Sequence, residues 1–144
     1  MSSSANKFKS GQIGQGIFLI KDVAEILRLP YPKVRYWLAE FWDYRFGYER
    51  GPYSFGDKNN KAVNFYTLIE FLAFYKFREK GISAQQIQKA HENMAKDLST
   101  PFPFATKELF VVGKDIHYAD AGEIVKADGK RQLASKIILG VIVI

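Results

Sequence analysis

A chain of 144 residues has room for one domain or two very small ones. With 47% hydrophobic and 25% charged residues it can bury an ordinary core, and without cysteine it has neither a disulfide framework nor a thiolate metal site. The net charge of +6 is uneven, with ten Lys/Arg against six Asp/Glu in residues 1–65, five against four in 66–98 and six against five in 99–144.

A basic N-terminal part is compatible with nucleic acid, although a surplus of four charges is also an ordinary solvated surface. The leader "MSSSANKFKSGQIGQG", residues 1–16, has no apolar core of a signal peptide, and its G-x-x-G-x-G spacing with no preceding strand is no phosphate cradle. It is expected to be disordered. From Ile20, the residues Val23, Ile26 and Leu27, with Ala24 beside them, give one apolar face to a short helix that Asp22 suits at its start. The prolines of "LRLPYP" end that helix and open another at Pro32. In the second helix Val34, Trp37, Leu38 and Phe41 form the buried stripe, and Lys33, Arg35, Tyr36, Ala39 and Glu40 face outward. Two short helices about a tight turn make a helix-turn-helix unit.

Residues 43–65 carry no helical period and are rich in Gly, Asp, Asn and aromatics, so they are expected to form a β-hairpin wing with its turn at "GDKNNK". Two helices follow. Leu68, Leu72 and Tyr75 or Lys76 mark the first, with Ile69 and Phe71 widening its apolar face and Gly81 as its cap. Ser83 opens the second, with Gln86 placed as in a capping box and Ile87, Ala90, Met94 and Leu98 on the inner side. After "STPFPF" the period drops to two, and "KELFVV", "DIHYA", "GEIVKA" and "KRQLA" read as strands of a small antiparallel meander. The closing run "IILGVIVI", eight residues, is too short to span a bilayer. Because the chain stops inside it, that element is expected to need completion or a partner. A soluble protein of a reducing cytoplasm, without a membrane partner, is expected.

No chemistry of an enzyme stands out. His91 and His117 are the only histidines and lie on different elements, with His91 expected at the surface or half-buried. No metal-ligand spacing appears, and Asp115, Asp120, Glu123 and Asp128 cluster at turns, as carboxylates commonly do. No cofactor, metal or catalytic residue is expected. Tyr44, Arg45, Tyr48 and Arg50 interleave aromatics with cations as a single-strand stacking surface does, and equally as the core and rim of a wing do.

The stretches "FLIKDVAEILRLPYPKVRYWL" and "FYTLIEFLAFYKFREKGISAQQIQKA", with "RYW" at Arg35–Trp37 and "GISAQQI" at Gly81–Ile87, resemble the MerR-like winged helix-turn-helix. The continuation "PFPFATKELFVVGKDIHY", with a following "DGK" turn, is similar to the C-terminal part of bacterial antitoxins of the VapB type. The resemblance covers roughly residues 17–135. It implies a DNA-binding antitoxin that represses its own operon and neutralises a toxin, commonly a PIN-like ribonuclease. It also implies that Arg35 grips phosphate with Tyr36 beside it at the duplex, while Lys33 stands where such proteins usually carry Thr or Ser. Arg45, Tyr48, Arg50, Lys58 and Lys61 are candidate contacts of the wing from charge, aromatic character and turn position. The long dimerising helix and the sensor cysteines of MerR regulators are absent, so metal or drug sensing is not expected and a homodimer would use another surface.

The expected fold is α+β, with a MerR-like winged helix-turn-helix over residues 17–98 and a small antiparallel β subdomain over 99–144. The expected partners are operator DNA, a toxin and a second copy. The alternative is a protein-interaction module in which the helix pair is scaffold only.

Overall fold

The computed structural model describes residues 16–46, 53–57 and 59–130. The fold is α+β, with five α-helices and two three-stranded antiparallel sheets among the described residues. Contacts divide the chain into two units, Met1–Leu68 and Ile69–Ile144. A boundary read near residue 98 follows the change from helical to strand period; the division by contacts falls inside a helix instead.

The first unit opens with strand β1, Ile17–Leu19, a three-residue element too short to announce itself by alternation. Helix α1, Ile20–Leu27, follows directly, and Asp22 Oδ2 accepts the Leu19 N–H at 3.0 Å, satisfying one of the free donors at the helix start. Arg28 closes the helix at φ +58°, with the Leu29 N–H returning to the Ala24 carbonyl at 2.9 Å in a Schellman arrangement. Val23, Ala24 and Leu27 are buried as their spacing predicts, but Ile26 is 54% exposed. Helix α2, Tyr31–Trp37, starts one residue before Pro32, with the Pro30 carbonyl accepting the Lys33 and Val34 N–H groups.

Helix α2 does not end where the hairpin was expected to begin. It continues as a π-helix over Leu38–Arg45, in which the Phe46 N–H reaches back to the Phe41 carbonyl at 2.6 Å. The i to i+5 spacing brings Trp37 with Trp42, and Phe41 with Phe46, to the buried side. Trp42 and Phe46 meet edge to face at 5.4 Å, and Phe46 meets Tyr53 at 6.4 Å. Tyr44, which a 3.6-residue period puts inside, is 72% exposed.

Strands β2, Ser54–Phe55, and β3, Ala62–Asn64, form the expected hairpin, and β1 adds to its far side, giving the order β1-β3-β2. Val63 of the central strand faces Phe18 on one side and Ser54 on the other and is fully buried. The turn is held by Asp57, whose Oδ1 accepts the backbone N–H groups of Asn59 at 3.1 Å and Asn60 at 3.0 Å. Gly56 enters it at φ +93°, where a Cβ would stand 2.4 Å from the Asn60 carbonyl oxygen. Gly56→Ala is therefore expected to destabilise the protein by about 1–3 kcal/mol, read as a lower midpoint in urea unfolding. Unchanged stability would show that the turn relaxes freely.

Helix α3, Phe65–Glu79, is capped by Asn64, whose Oδ1 accepts the Thr67 N–H at 2.8 Å. Its sequence is apolar on nearly every side, so periodicity cannot select a face. Thr67, Leu68, Glu70, Phe71, Ala73, Phe74 and Phe77 are buried, Ile69, Leu72 and Tyr75 are half-buried, and Lys76 is exposed. In the second unit the chain turns at Gly81, φ +85°, and the Ile82 N–H caps the Phe77 carbonyl at 3.1 Å. Ser83 Oγ accepts the Gln86 N–H at 3.1 Å to start α4, Ala84–Leu98. Only half of the capping box forms, because the Gln86 amide donates to the Lys114 carbonyl at 2.8 Å instead. A single helical turn, α5, Pro103–Thr106, seats Phe104 against Phe77 at 5.4 Å.

The meander follows as β4, Leu109–Val112, β5, Asp115–Asp120, and β6, Glu123–Lys126, in that spatial order. Its hairpins use the expected turns: Gly113 at φ +66° opens the first, and Ala121 and Gly122, both at positive φ, form the second. The further strand read at "KRQLA", the apolar run "IILGVIVI" and the leader through residue 15 lie outside the described residues.

His117 on β5 is buried, and its Nδ1 lies 3.4 Å from the Asp115 carbonyl. Burial holds its pKa below the ordinary 6.5, outweighing the hydrogen bond to the Asp115 backbone and the Asp115 charge, which pull it up. The unfolded chain then binds the proton more readily than the folded one. Stability from burying neutral His117 is complete above the unfolded value near 6.5 and is lost as pH falls through and below it. His117→Phe is expected to flatten this loss when urea unfolding is compared at about pH 7.5 and about pH 5.5. An identical pH slope in both proteins would contradict it.

Candidate nucleic-acid interface

The outward face of α2 is set by what its inward face must bury. With Val34, Trp37 and Leu38 committed to the core, Tyr31, Lys33, Arg35, Tyr36 and Ala39 have to face solvent, and all of them do. Tyr36 is 59% exposed. The Lys33 ammonium lies 5.6 Å from the centre of the Trp37 ring, a cation–π contact that lays its stem along the helix. Arg35 makes no ion pair among the described residues. It lines two hollows at once. The larger, about 600 Å³, is lined by residues from β1, α1, α2, the π-helical continuation and the turn before β3; Ile20, Tyr31, Leu38, Asp43 and Lys61 are among them. The shallower, about 380 Å³, is formed by Tyr31, Pro32, Arg35 and Tyr36 of α2 with Ala39 of its continuation.

The cations assigned to the wing stand differently. Arg45 lies on the last turn of the π-helix and not on the hairpin, because the helix runs further than its α-period suggested. Its Nε and Nη2 donate to Glu40 Oε2 at 2.7 and 2.6 Å, and its guanidinium sits 5.5 Å from the Tyr44 ring. Lys61, just before β3, donates to Asp43 Oδ2 at 2.6 Å. Both charges are compensated within the protein, which weakens them as phosphate donors. Tyr48, Arg50 and Lys58 lie outside the described residues. Of the eight residues singled out from the sequence, Lys33, Arg35 and Tyr36 come together on one helix, and Lys61 shares a hollow with Arg35.

Two further residues belong to this region. Asp43, on the π-helix, accepts the Ser54 hydroxyl at Oδ1, 2.7 Å, as well as Lys61 at Oδ2. Separations of 11 and 18 residues leave no local pattern from which such a pairing is read.

The second unit holds a different polar group. Glu70 Oε1 and His91 Nε2 are 2.6 Å apart, Glu70 Oε2 accepts the Phe104 N–H at 2.8 Å, and the His91 ring stands edge-on to Phe104 at 4.9 Å. His91, expected at the surface or half-buried, is buried because α4 turns it onto Glu70 of α3. With side chains 2% and 0% exposed, the pair is sealed from solvent and joins α3, α4 and α5 as a structural pin. Among the described residues no group of three or more His, Cys, Asp or Glu is placed to hold a metal ion, and no helix is long and apolar enough to cross a membrane. No protein-family model matches the chain, and the searches of curated proteins and of solved structures return no match.

Proposed function

We propose that this protein binds double-stranded DNA sequence-specifically, with α2 as the reading helix of a winged helix-turn-helix, and that it is the antitoxin and repressor of a toxin–antitoxin operon. The observation that carries the DNA reading is the face of α2. It presents Lys33, Arg35 and Tyr36 to solvent on a helix whose opposite side is fixed in the core, and neither cation has a carboxylate partner among the described residues. Cations on a rigid exposed helix neutralise phosphate and release counterions, which supplies affinity. Neighbouring side chains that enter the major groove supply sequence preference. The roles of repressor and of toxin antagonist rest on the sequence resemblance, with residues 99–144 as the toxin-binding part and the cytoplasm as the place of action.

A single module of this kind buries on the order of 600–1,000 Å² on DNA, which favours a homodimer on a palindromic or repeated site. Ile26, Phe65 and Tyr66, at 54%, 47% and 52% exposure, are large apolar side chains that α2 does not carry. Phe65 and Tyr66, in ring contact at 6.5 Å, support a protein-contact surface on the first unit, for a second copy or for a partner as in the interaction-module reading. The test is a footprint on the DNA upstream of the gene. A protected patch with two-fold or repeated sequence supports the proposal; uniform or absent protection overturns it.

A further inference from the structure

We propose that Asp43 is a positioning residue for DNA reading: it locks the β2–β3 hairpin to the reading helix by holding Ser54 and Lys61 with its two carboxylate oxygens. The inference rests on the DNA reading above and adds to it the device that fixes one contact element relative to the other.

The lock is built from three chain segments. The π-helical continuation carries Asp43 on from α2, β2 supplies Ser54, and the residue before β3 supplies Lys61. Ser54 Oγ donates to Oδ1 at 2.7 Å, Lys61 Nζ donates to Oδ2 at 2.6 Å, and Lys61 also lies 3.4 Å from Ser54 Oγ. Every heavy atom of the carboxylate head is thereby assigned, one oxygen to each edge of the hairpin. The side chains of Asp43 and Lys61 are only 21% and 31% exposed, so the pair is partly shielded from salt. Asp43 and Lys61 stand in the wall of the 600 Å³ hollow that Arg35 lines, so the tether and the reading face border one cavity. A hairpin of two- and three-residue strands has little rigidity of its own, and a charged hydrogen-bonded tether to both of its arms is what fixes its angle.

Lys61 therefore serves as a strut and not as a phosphate contact, and the two roles give opposite results. Asp43→Asn and Lys61→Met are each expected to lower the preference for the upstream duplex over a scrambled duplex by about fivefold. Binding to the scrambled duplex and the salt slope should stay unchanged. The double variant should lose no more than either single variant, because both remove one interaction. Amide exchange at Ser54, Phe55 and Val63 should speed up in all three.

A lower salt slope in Lys61→Met, with tighter scrambled binding in Asp43→Asn, would overturn the lock in favour of a direct phosphate contact. Unchanged preference in both single variants would also overturn it, and Ser54→Ala provides the same reading should Asp43→Asn fail to fold. If the unmutated protein shows no preference between the duplexes, the DNA reading itself fails and takes the positioning role with it. The exchange data then still report whether the tether holds the hairpin.

Discussion

Glu70→Ala is expected to lower folding stability by about 3–5 kcal/mol, the combined cost of leaving two buried polar groups without their hydrogen-bond partner and of the void that remains. Glu70 is wholly inaccessible, and each carboxylate oxygen serves a different element: Oε1 meets His91 of α4, and Oε2 takes the Phe104 N–H of α5. Alanine would leave both the imidazole nitrogen and a backbone N–H without acceptors and would open a void beside Phe104. Glu70→Gln keeps an oxygen and should cost less, about 1–2 kcal/mol. Urea unfolding followed by circular dichroism measures all three proteins. A loss below about 1 kcal/mol for alanine would mean that neighbouring groups or water take over these bonds. The double replacement Glu70→Leu with His91→Phe should recover part of the loss, because it fills the void and removes the unpaired imidazole, while the Phe104 N–H still lacks its acceptor.

Arg35→Ala is expected to weaken DNA binding by about 1.5–3 kcal/mol, roughly ten- to a hundredfold, the range for a hydrogen bond to a charged group. It should also lower the slope of log affinity against log salt by about 1, since one phosphate contact releases about one counterion. The side chain is exposed on α2 and makes no ion pair among the described residues, so stability should change by less than about 0.5 kcal/mol. The loss should be similar on upstream and scrambled duplexes, which separates a phosphate contact from a base contact. Loss of binding together with stability would instead assign Arg35 to the fold.

The sequence made some of these features readable and concealed others for identifiable reasons. The helix pair was legible because Val34, Trp37, Leu38 and Phe41 keep an α-period and Pro30 and Pro32 punctuate it. The exposed face with Lys33, Arg35 and Tyr36 follows from that period by elimination. The meander was legible because each turn carries its own glycine at positive φ: Gly113, then Gly122 beside Ala121.

From Leu38 the helix changes to i→i+5 bonding, so beyond Phe41 the same period misleads: Trp42 and Phe46 turn inward in place of Tyr44. That change also takes Arg45 off the hairpin and onto the helix, where Glu40 holds it. The face of α3 was hidden by an excess of apolar residues, and strand β1 by its brevity. His91 and Asp43 owe their settings to partners 21, 11 and 18 residues away, Glu70, Ser54 and Lys61, which no local rule connects.

If the α2 face reads DNA, the protein must prefer its own upstream sequence. Fluorescence anisotropy of the unmutated protein on its own upstream duplex and on a scrambled duplex of equal length, across a salt series, decides this. Tighter binding to the upstream duplex at every salt concentration, with affinity falling steeply as salt rises, is the predicted result. Equal, weak binding to both duplexes would contradict it and leave the helix pair as scaffold for a protein partner.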